Sequence, residues 1–148
     1  MSYQEKKVIV SIISGILIFT LYTLYAINNA EEGSITSAND FSFWGSFILV
    51  LLPVSIVAKI IIHIVFVISN KIATNEDEPS IEDEFDKMVE LKADRISLYV
   101  FSIGFILAMI PLVTDFPTYF TFLLLICFGF LSDLMGRIAQ LYFYRKGV

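Results

Sequence analysis

Two uncharged stretches decide the fold: VIVSIISGILIFTLYTLYAI at residues 8–27 and ISLYVFSIGFILAMIPLVT at residues 96–114. A hydrocarbon core about 30 Å thick requires about 20 helical residues, so each stretch is long enough to cross a membrane alone. Two further apolar runs, 41–69 and 116–144, contain charged residues but are long enough to span with some tilt. None alternates like a barrel strand, and lipid requires backbone polar groups to bond internally. We therefore expect an all-α, polytopic membrane protein with four transmembrane helices.

The composition of the 148-residue chain agrees with this fold class, because 57% of the residues are hydrophobic and only 17% are charged. The polar segment between the second and third spans is shorter than a soluble domain, which has at least about 50 residues. We therefore treat 1–148 as a single membrane domain. The first apolar stretch exceeds the signal-peptide limit of about 15 residues, so we expect an uncleaved span. The single cysteine, Cys127, permits no intrachain disulfide.

Basic residues near the ends of the spans predict one orientation. Eight of them fall on one side of the membrane: Lys6, Lys7, Lys71, Lys87, Lys92, Arg95, Arg145 and Lys146. The opposite loops carry acidic residues and no Lys or Arg: Glu31, Glu32, Asp40 and Asp115. By the positive-inside rule, both termini are predicted to be cytoplasmic in a multi-pass protein of the plasma membrane. The spans then form two helical hairpins of the same orientation, joined by one cytoplasmic segment.

Four ionisable residues interrupt the second and fourth spans. Lys59 and His63 are four residues apart, as are Asp133 and Arg137, so each pair shares one helix face. Lys59 and Asp133 each lie twelve residues before the basic residue at the inner end of their span, about 18 Å of helix. At equal depth, they are expected to form an ion pair, with Arg137 also within reach of Asp133. Two interpretations remain open for this buried charge network: a lock between helices, or an ion or proton pathway.

Small residues at helical spacing predict close packing of spans one, three and four. They are Ser11, Ser14 and Gly15, then Gly104 and Ala108, and finally Ser132 and Gly136. Gly129 lies on the same small and polar face of span four, which is expected to look inward.

The polar segment contains a predicted acidic amphipathic helix at about 80–95, lying under the bundle and running into span three. Ser80 is its expected cap, and Ile81, Phe85, Met88 and Leu91 recur on its expected apolar face. Its carboxylates form a candidate docking site for a cytoplasmic protein partner: Glu82, Asp83, Glu84 and Asp86. The alternative is a solvated acidic face without a partner.

Four segments carry a resemblance to a known family: DEFDK at 83–87, ELKADRI at 90–96, QLYFYRKGV at 140–148 and EKK at 5–7. With them the chain resembles a group of small bacterial four-span integral membrane proteins of unknown function. The resemblance implies the same topology in a bacterial inner membrane. It also implies a signalling or stress role, because such proteins are often encoded beside small helix-turn-helix regulators. It supplies no catalytic residue, substrate or cofactor.

No enzymatic activity is expected, because the sequence has no catalytic triad, no phosphate-binding glycine loop and no paired His ligands. A lone His does not predict a metal site, and no cofactor or nucleic-acid partner is indicated. The sequence most favours an interaction or regulatory protein that lies in the lipid bilayer. The alternative is a small ion- or proton-coupled transporter or channel subunit acting as a homo-oligomer. A cavity reaching Asp133 would favour transport, and a closed pair would favour a structural role. The sequence identifies no substrate, partner or oligomeric state.

Overall fold

The computed structural model of the chain describes residues 2–36, 41–75 and 83–147. Within these residues the regular structure consists of four α-helices: α1 (Tyr3–Asn28), α2 (Ser42–Thr74), α3 (Glu84–Val113) and α4 (Tyr119–Lys146). Each helix contains most of one expected span. The all-α prediction is confirmed for the described part of the chain.

The surface of the described residues is apolar along the helices. All four helices are long and apolar enough to cross a membrane, and in the most apolar part of α2 no residue is buried. Large side chains such as Leu49, Ile64 and Ile106 are exposed. An apolar surface this extensive is unfavourable in water, whereas lipid tails are as apolar as these side chains. The architecture is therefore that of a multi-pass membrane protein.

The starts of α1 and α3 meet the ends of α2 and α4 at one end of the molecule. There the amide of Gln4 donates to Asp86 Oδ2 at 3.3 Å. Arg145 Nε lies 3.9 Å from a carboxylate oxygen of Glu5. We call this the termini end, and the opposite end, which contains Trp44, the loop end.

Helix α4 contacts the other three helices, and its contact with α3 is the most extensive. Small residues allow this close approach. A Cβ on Gly104 would overlap the side chain of Phe128, and one on Gly136 would lie 3.0 Å from the Cβ of Ser97. Ala108 is fully buried in the same interface. Packing between α3 and α4 therefore depends on the absence of side chains at these positions.

The acidic segment is the first part of α3 and is continuous with the third span. The Asp83 carboxylate caps this helix by accepting a hydrogen bond from the Glu84 N–H at 2.8 Å. The expected cap, Ser80, lies outside the described residues. Between residues 84 and 103 the sequence has no Gly or Pro, so nothing in it interrupts the helix.

The predicted apolar face of this segment is not its buried face in the described residues, so the amphipathic helix is not confirmed. Val89 and Ala93 are buried there, whereas Phe85, Met88 and Leu91 are exposed. Val89 and Ala93 continue, at four-residue spacing, the row of α3 residues that faces α4. Close packing against α4 therefore determines the rotation of the helix, rather than the burial of its largest apolar side chains.

Candidate functional site

Lys59 on α2 and Asp133 on α4 form an ion pair, with 3.0 Å between Lys59 Nζ and Asp133 Oδ2. The structure thus brings together the two residues that the count along the spans places at equal depth. Because α2 and α4 have few other contacts, this pair is a principal link between them.

Arg137 shares the same carboxylate. Its Nε lies 3.9 Å from Asp133 Oδ1, and its Nη1 donates to Gln140 Oε1 at 3.2 Å. The cluster of Lys59, Asp133 and Arg137 therefore holds two cations and one anion. Protein atoms do not enclose it, because the three side chains are 39%, 41% and 38% exposed. Their exposed surfaces face two cavities.

A polar cavity of about 240 Å³ extends from the termini end to this cluster. All four helices line it, and its ionisable side chains are Lys7, Lys59, His63, Asp86, Glu90, Arg137 and Tyr144. At about 30 Å³ for each molecule of liquid water, the cavity has room for several waters beside these groups. His63 and Arg137, which the count along the spans places at one level, both line it.

Helix α1 contributes a polar row to this cavity that the sequence analysis did not identify. Gln4, Lys7, Ser11 and Ser14 all line the cavity. Their spacing of three, four and three residues is that of one helix face, and this was the available signal. The sequence alone does not assign this row to a cavity, because a lysine near the start of a span is equally typical of a membrane-flanking residue.

A second, apolar cavity of about 570 Å³ lies on the loop-end side of the ion pair. Lys59 and Asp133 line its inner end, and Ile48 and Leu125 line the part nearest the loop end. Ser55 adds one further polar side chain among the described residues around it. The ion pair therefore lies between a polar and an apolar cavity.

Gly15 and Gly129 line the apolar cavity, and a Cβ built on either would meet no atom within 4 Å. The expectation that Gly15 allows close helix packing is therefore wrong. Gly129 is expected only to share an inward-looking face. Ser14 and Ser132 are buried, and Gly136 lies against Ser97 of α3 as predicted.

The four candidate docking residues occupy different environments. Asp83 and Glu84 are exposed, and Asp83 also caps α3. Asp86 faces the polar cavity and accepts the hydrogen bond from Gln4. Glu82 lies outside the described residues. The exposed carboxylates at this site are thus fewer than the sequence pattern indicates.

No group of three His, Cys, Asp or Glu residues in the described ranges could hold a metal ion. Comparisons of the chain with protein-family models, with curated proteins and with solved structures give no match. The resemblance to small four-span proteins therefore stays a prediction, and the function is argued from the geometry.

Proposed function

We propose that the chain is a non-enzymatic, multi-pass protein of the plasma membrane that acts as a small proton-coupled transporter or transporter subunit. Protons reach the Lys59–Asp133 pair through the polar cavity. The supporting observation is the convergence of ionisable side chains from four helices on this one cavity, which reaches Lys59 of the pair. Charges at membrane depth that face a hydrated cavity are typical of ion and proton pathways. Because of this observation we place the transporter before the interaction or regulatory role, whereas the sequence alone favours the opposite order.

The proposed topology is two helical hairpins joined by a cytoplasmic segment, with both termini in the cytoplasm. The polar cavity then opens to the cytoplasm. Basic residues support this orientation, because Lys71 lies in the last turn of α2, and Arg145 and Lys146 lie in the last turn of α4. Both turns are at the termini end.

A gated pathway, which also conducts protons in the absence of a second substrate, fits the cavities better than an open channel does. The polar cavity reaches Lys59, whereas Asp133 lines the apolar cavity, and the other described residues around the apolar cavity are apolar or glycine except for Ser55. A proton entering from the cytoplasmic side therefore meets a barrier at the ion pair. Transport across the whole bilayer requires a change of conformation or a second copy of the chain, which agrees with the expected homo-oligomer.

Proton movement into proteoliposomes tests this proposal. Vesicles containing only the purified protein and an internal pH dye receive a membrane potential from a K⁺ gradient and valinomycin. We expect faster proton entry than in empty vesicles, and its loss in the Lys59→Met, Asp133→Leu double variant. Removing both charges together avoids leaving Lys59 or Asp133 without the other, and Arg137 keeps its hydrogen bond to Gln140. Arg145→Gln is the control, because Arg145 interacts with Glu5 at the termini end.

Two results would overturn proton coupling: wild-type vesicles that conduct no better than empty ones, or a double variant that moves protons at the wild-type rate. Flux of another cation without proton flux would mean that the pathway carries that cation. This result would contradict the proposal as stated.

A second candidate is the interaction or regulatory role, and the exposure of Asp83 and Glu84 beside both termini favours it. Glu82→Lys with Glu84→Lys reverses two charges and keeps the Asp83 cap. We expect this variant to lose a co-purifying cytoplasmic partner and to retain proton flux, whereas Glu31→Lys at the loop end should retain both. An unchanged set of co-purifying proteins would contradict the docking role.

A further inference from the structure

We infer that His63 is the proton carrier of the polar cavity. Its imidazole takes up a proton that enters from the termini end and passes it to Lys59, which gives one of its own protons to Asp133. His63 has this role within the proposed function, on which the inference rests.

His63 lies between the termini end of the polar cavity and the ion pair. The ring centroids of Phe66 and of Tyr3, the first residue of α1, are 5.4 Å apart, so Phe66 is near the termini end. His63 is three residues from Phe66 toward the loop end, and Lys59 is four residues farther. Residues at this spacing share one helix face, and all three line the polar cavity. A proton from the termini end therefore reaches the level of His63 before that of Lys59.

Groups of both charges line the cavity with His63. They are Lys7 of α1, Lys59 of α2, Asp86 and Glu90 of α3, and Arg137 and Tyr144 of α4. The two carboxylates compensate a positive charge on the imidazole, and the three cations oppose it. Both the charged and the neutral imidazole are therefore accessible, as a proton carrier requires.

The chemistry of imidazole suits this step. Histidine is the type of side chain whose ordinary pKa allows it to gain and lose a proton near neutral pH. His63 is the chain's one histidine. Its ring has two nitrogens, so it can accept a proton at one nitrogen and release a proton from the other.

The proton passes from His63 to Asp133 through Lys59, because the polar cavity reaches Lys59, whereas Asp133 lines the apolar cavity. Lys59 donates a hydrogen bond to Asp133 Oδ2 at 3.0 Å. Along this hydrogen bond Lys59 gives a proton to Asp133, and it takes one from the imidazolium across cavity water. His63 then becomes neutral, Lys59 keeps its charge, and Asp133 becomes a neutral carboxylic acid, so the total charge is unchanged. Without its charge Asp133 no longer holds the ion pair, which weakens the barrier between the two cavities.

Removal of the imidazole tests this role in the same proteoliposomes, with protein purified without a polyhistidine tag. His63→Ala should slow proton entry about 100-fold, the lower end of what a positioned proton-transfer group contributes. Ile62→Ala is the matched control, because Ile62 is an apolar side chain that lines the same cavity. It should conduct at close to the wild-type rate. Size-exclusion chromatography in detergent checks that both variants fold.

Added small molecules separate proton transfer from the filling of space. Imidazole, at equal concentration on both sides of the vesicle membrane, should restore most of the rate that His63→Ala loses. It should change neither the wild type nor Ile62→Ala. Pyrazole has a ring of the same size but is a far weaker base, so it should restore nothing. Vesicles with the Lys59→Met, Asp133→Leu double variant correct for leakage through the lipid.

Modification of the wild-type protein requires no variant. Diethyl pyrocarbonate carbethoxylates imidazole, and its absorbance change gives the number of histidines modified. Proton entry should stop when one imidazole per chain has reacted, and hydroxylamine, which removes the added group, should restore it.

Three results would overturn the inference. They are wild-type proton entry in the folded His63→Ala protein, rescue by imidazole no greater than that by pyrazole, and unchanged entry after the wild-type imidazole has been modified. In each case the wild type still conducts protons, so the proposed function survives. Wild-type vesicles that conduct no better than empty ones would contradict both.

Discussion

Asp133 interacts with two cations, so the loss of Asp133 and the loss of either cation have different effects on the cluster. Lys59 Nζ lies 3.0 Å from one carboxylate oxygen, and Arg137 Nε lies 3.9 Å from the other. Loss of Lys59 leaves Asp133 with Arg137, whereas loss of Asp133 leaves two cations facing each other. The aspartate is therefore the residue on which the cluster depends most.

The ion pair should show positive coupling in a double-mutant cycle. Lys59→Met and Asp133→Leu each lower the stability, with the larger loss for Asp133→Leu, and the double variant should recover part of the loss. The expected coupling is about 0.6 to 1.7 kcal/mol, the range measured for polar contacts between membrane helices. It should stay below the about 3 to 5 kcal/mol of fully buried pairs, because cavities hydrate these side chains. Unfolding in detergent measures all four proteins, and additive losses would mean that the pair does not form.

The pairing of Lys59 with Asp133 was accessible from the sequence because helical rise is constant and α2 and α4 run in the same direction. Counting residues from the basic end of each span therefore gives depth directly. The cavities could not be predicted from the sequence, because their existence depends on the distance between the helices. That distance is set by contacts such as Gly104 with Phe128, which no residue count reveals.

At the scale of helices, glycine has two opposite roles. On the α3–α4 contact, Gly104 and Gly136 let two backbones approach, whereas Gly15 and Gly129 leave space unfilled. The sequence predicts close packing for Gly15, Gly104 and Gly136, and Gly129 shares the face of α4 on which Gly136 lies. Only the position of the neighbouring helix distinguishes a packing glycine from one that lines a cavity.

Gly104→Leu should therefore destabilise the protein much more than Gly45→Leu. The side chain at position 104 would overlap Phe128, and overpacking typically costs about 1 to 3 kcal/mol. At position 45 a side chain meets no atom within 4 Å, so the change should be small. Thermal unfolding of both variants in the same detergent measures the difference. Equal midpoints would show that α3 and α4 do not pack closely at this position.

The start of α3 depends on a single side-chain cap. Asp83→Ala removes the acceptor for the Glu84 N–H and should cost about 1 kcal/mol, a typical value for a helix N-cap. Asp83→Asn should retain most of the stability, because Asn caps as well as Asp. Hydrogen exchange of the first turn of α3 should accelerate in the alanine variant alone. Similar exchange in both variants would exclude a capping role for Asp83.

At the scale of the whole molecule, the Lys, Arg, Asp and Glu side chains of the described residues lie at the two ends and along one path inside. The helices expose apolar side chains to lipid, while the polar cavity carries ionisable groups inward only from the termini end. Because the molecule is asymmetric along its axis, its function depends on which end faces the cytoplasm. In the proposed function, orientation determines which compartment supplies protons to the ion pair.

Cysteine labelling in intact cells tests the proposed orientation. The native Cys127 is first replaced by Ala, because it is exposed on α4 and would confuse the readout. Thr36→Cys lies between α1 and α2 at the loop end, and Asn75→Cys follows the last residue of α2 at the termini end. Since the basic residues at the termini end predict a cytoplasmic location, an impermeant maleimide should label position 36 in intact cells and position 75 only after lysis. Labelling of position 75 alone would invert the topology, and the polar cavity would then take its protons from outside the cell.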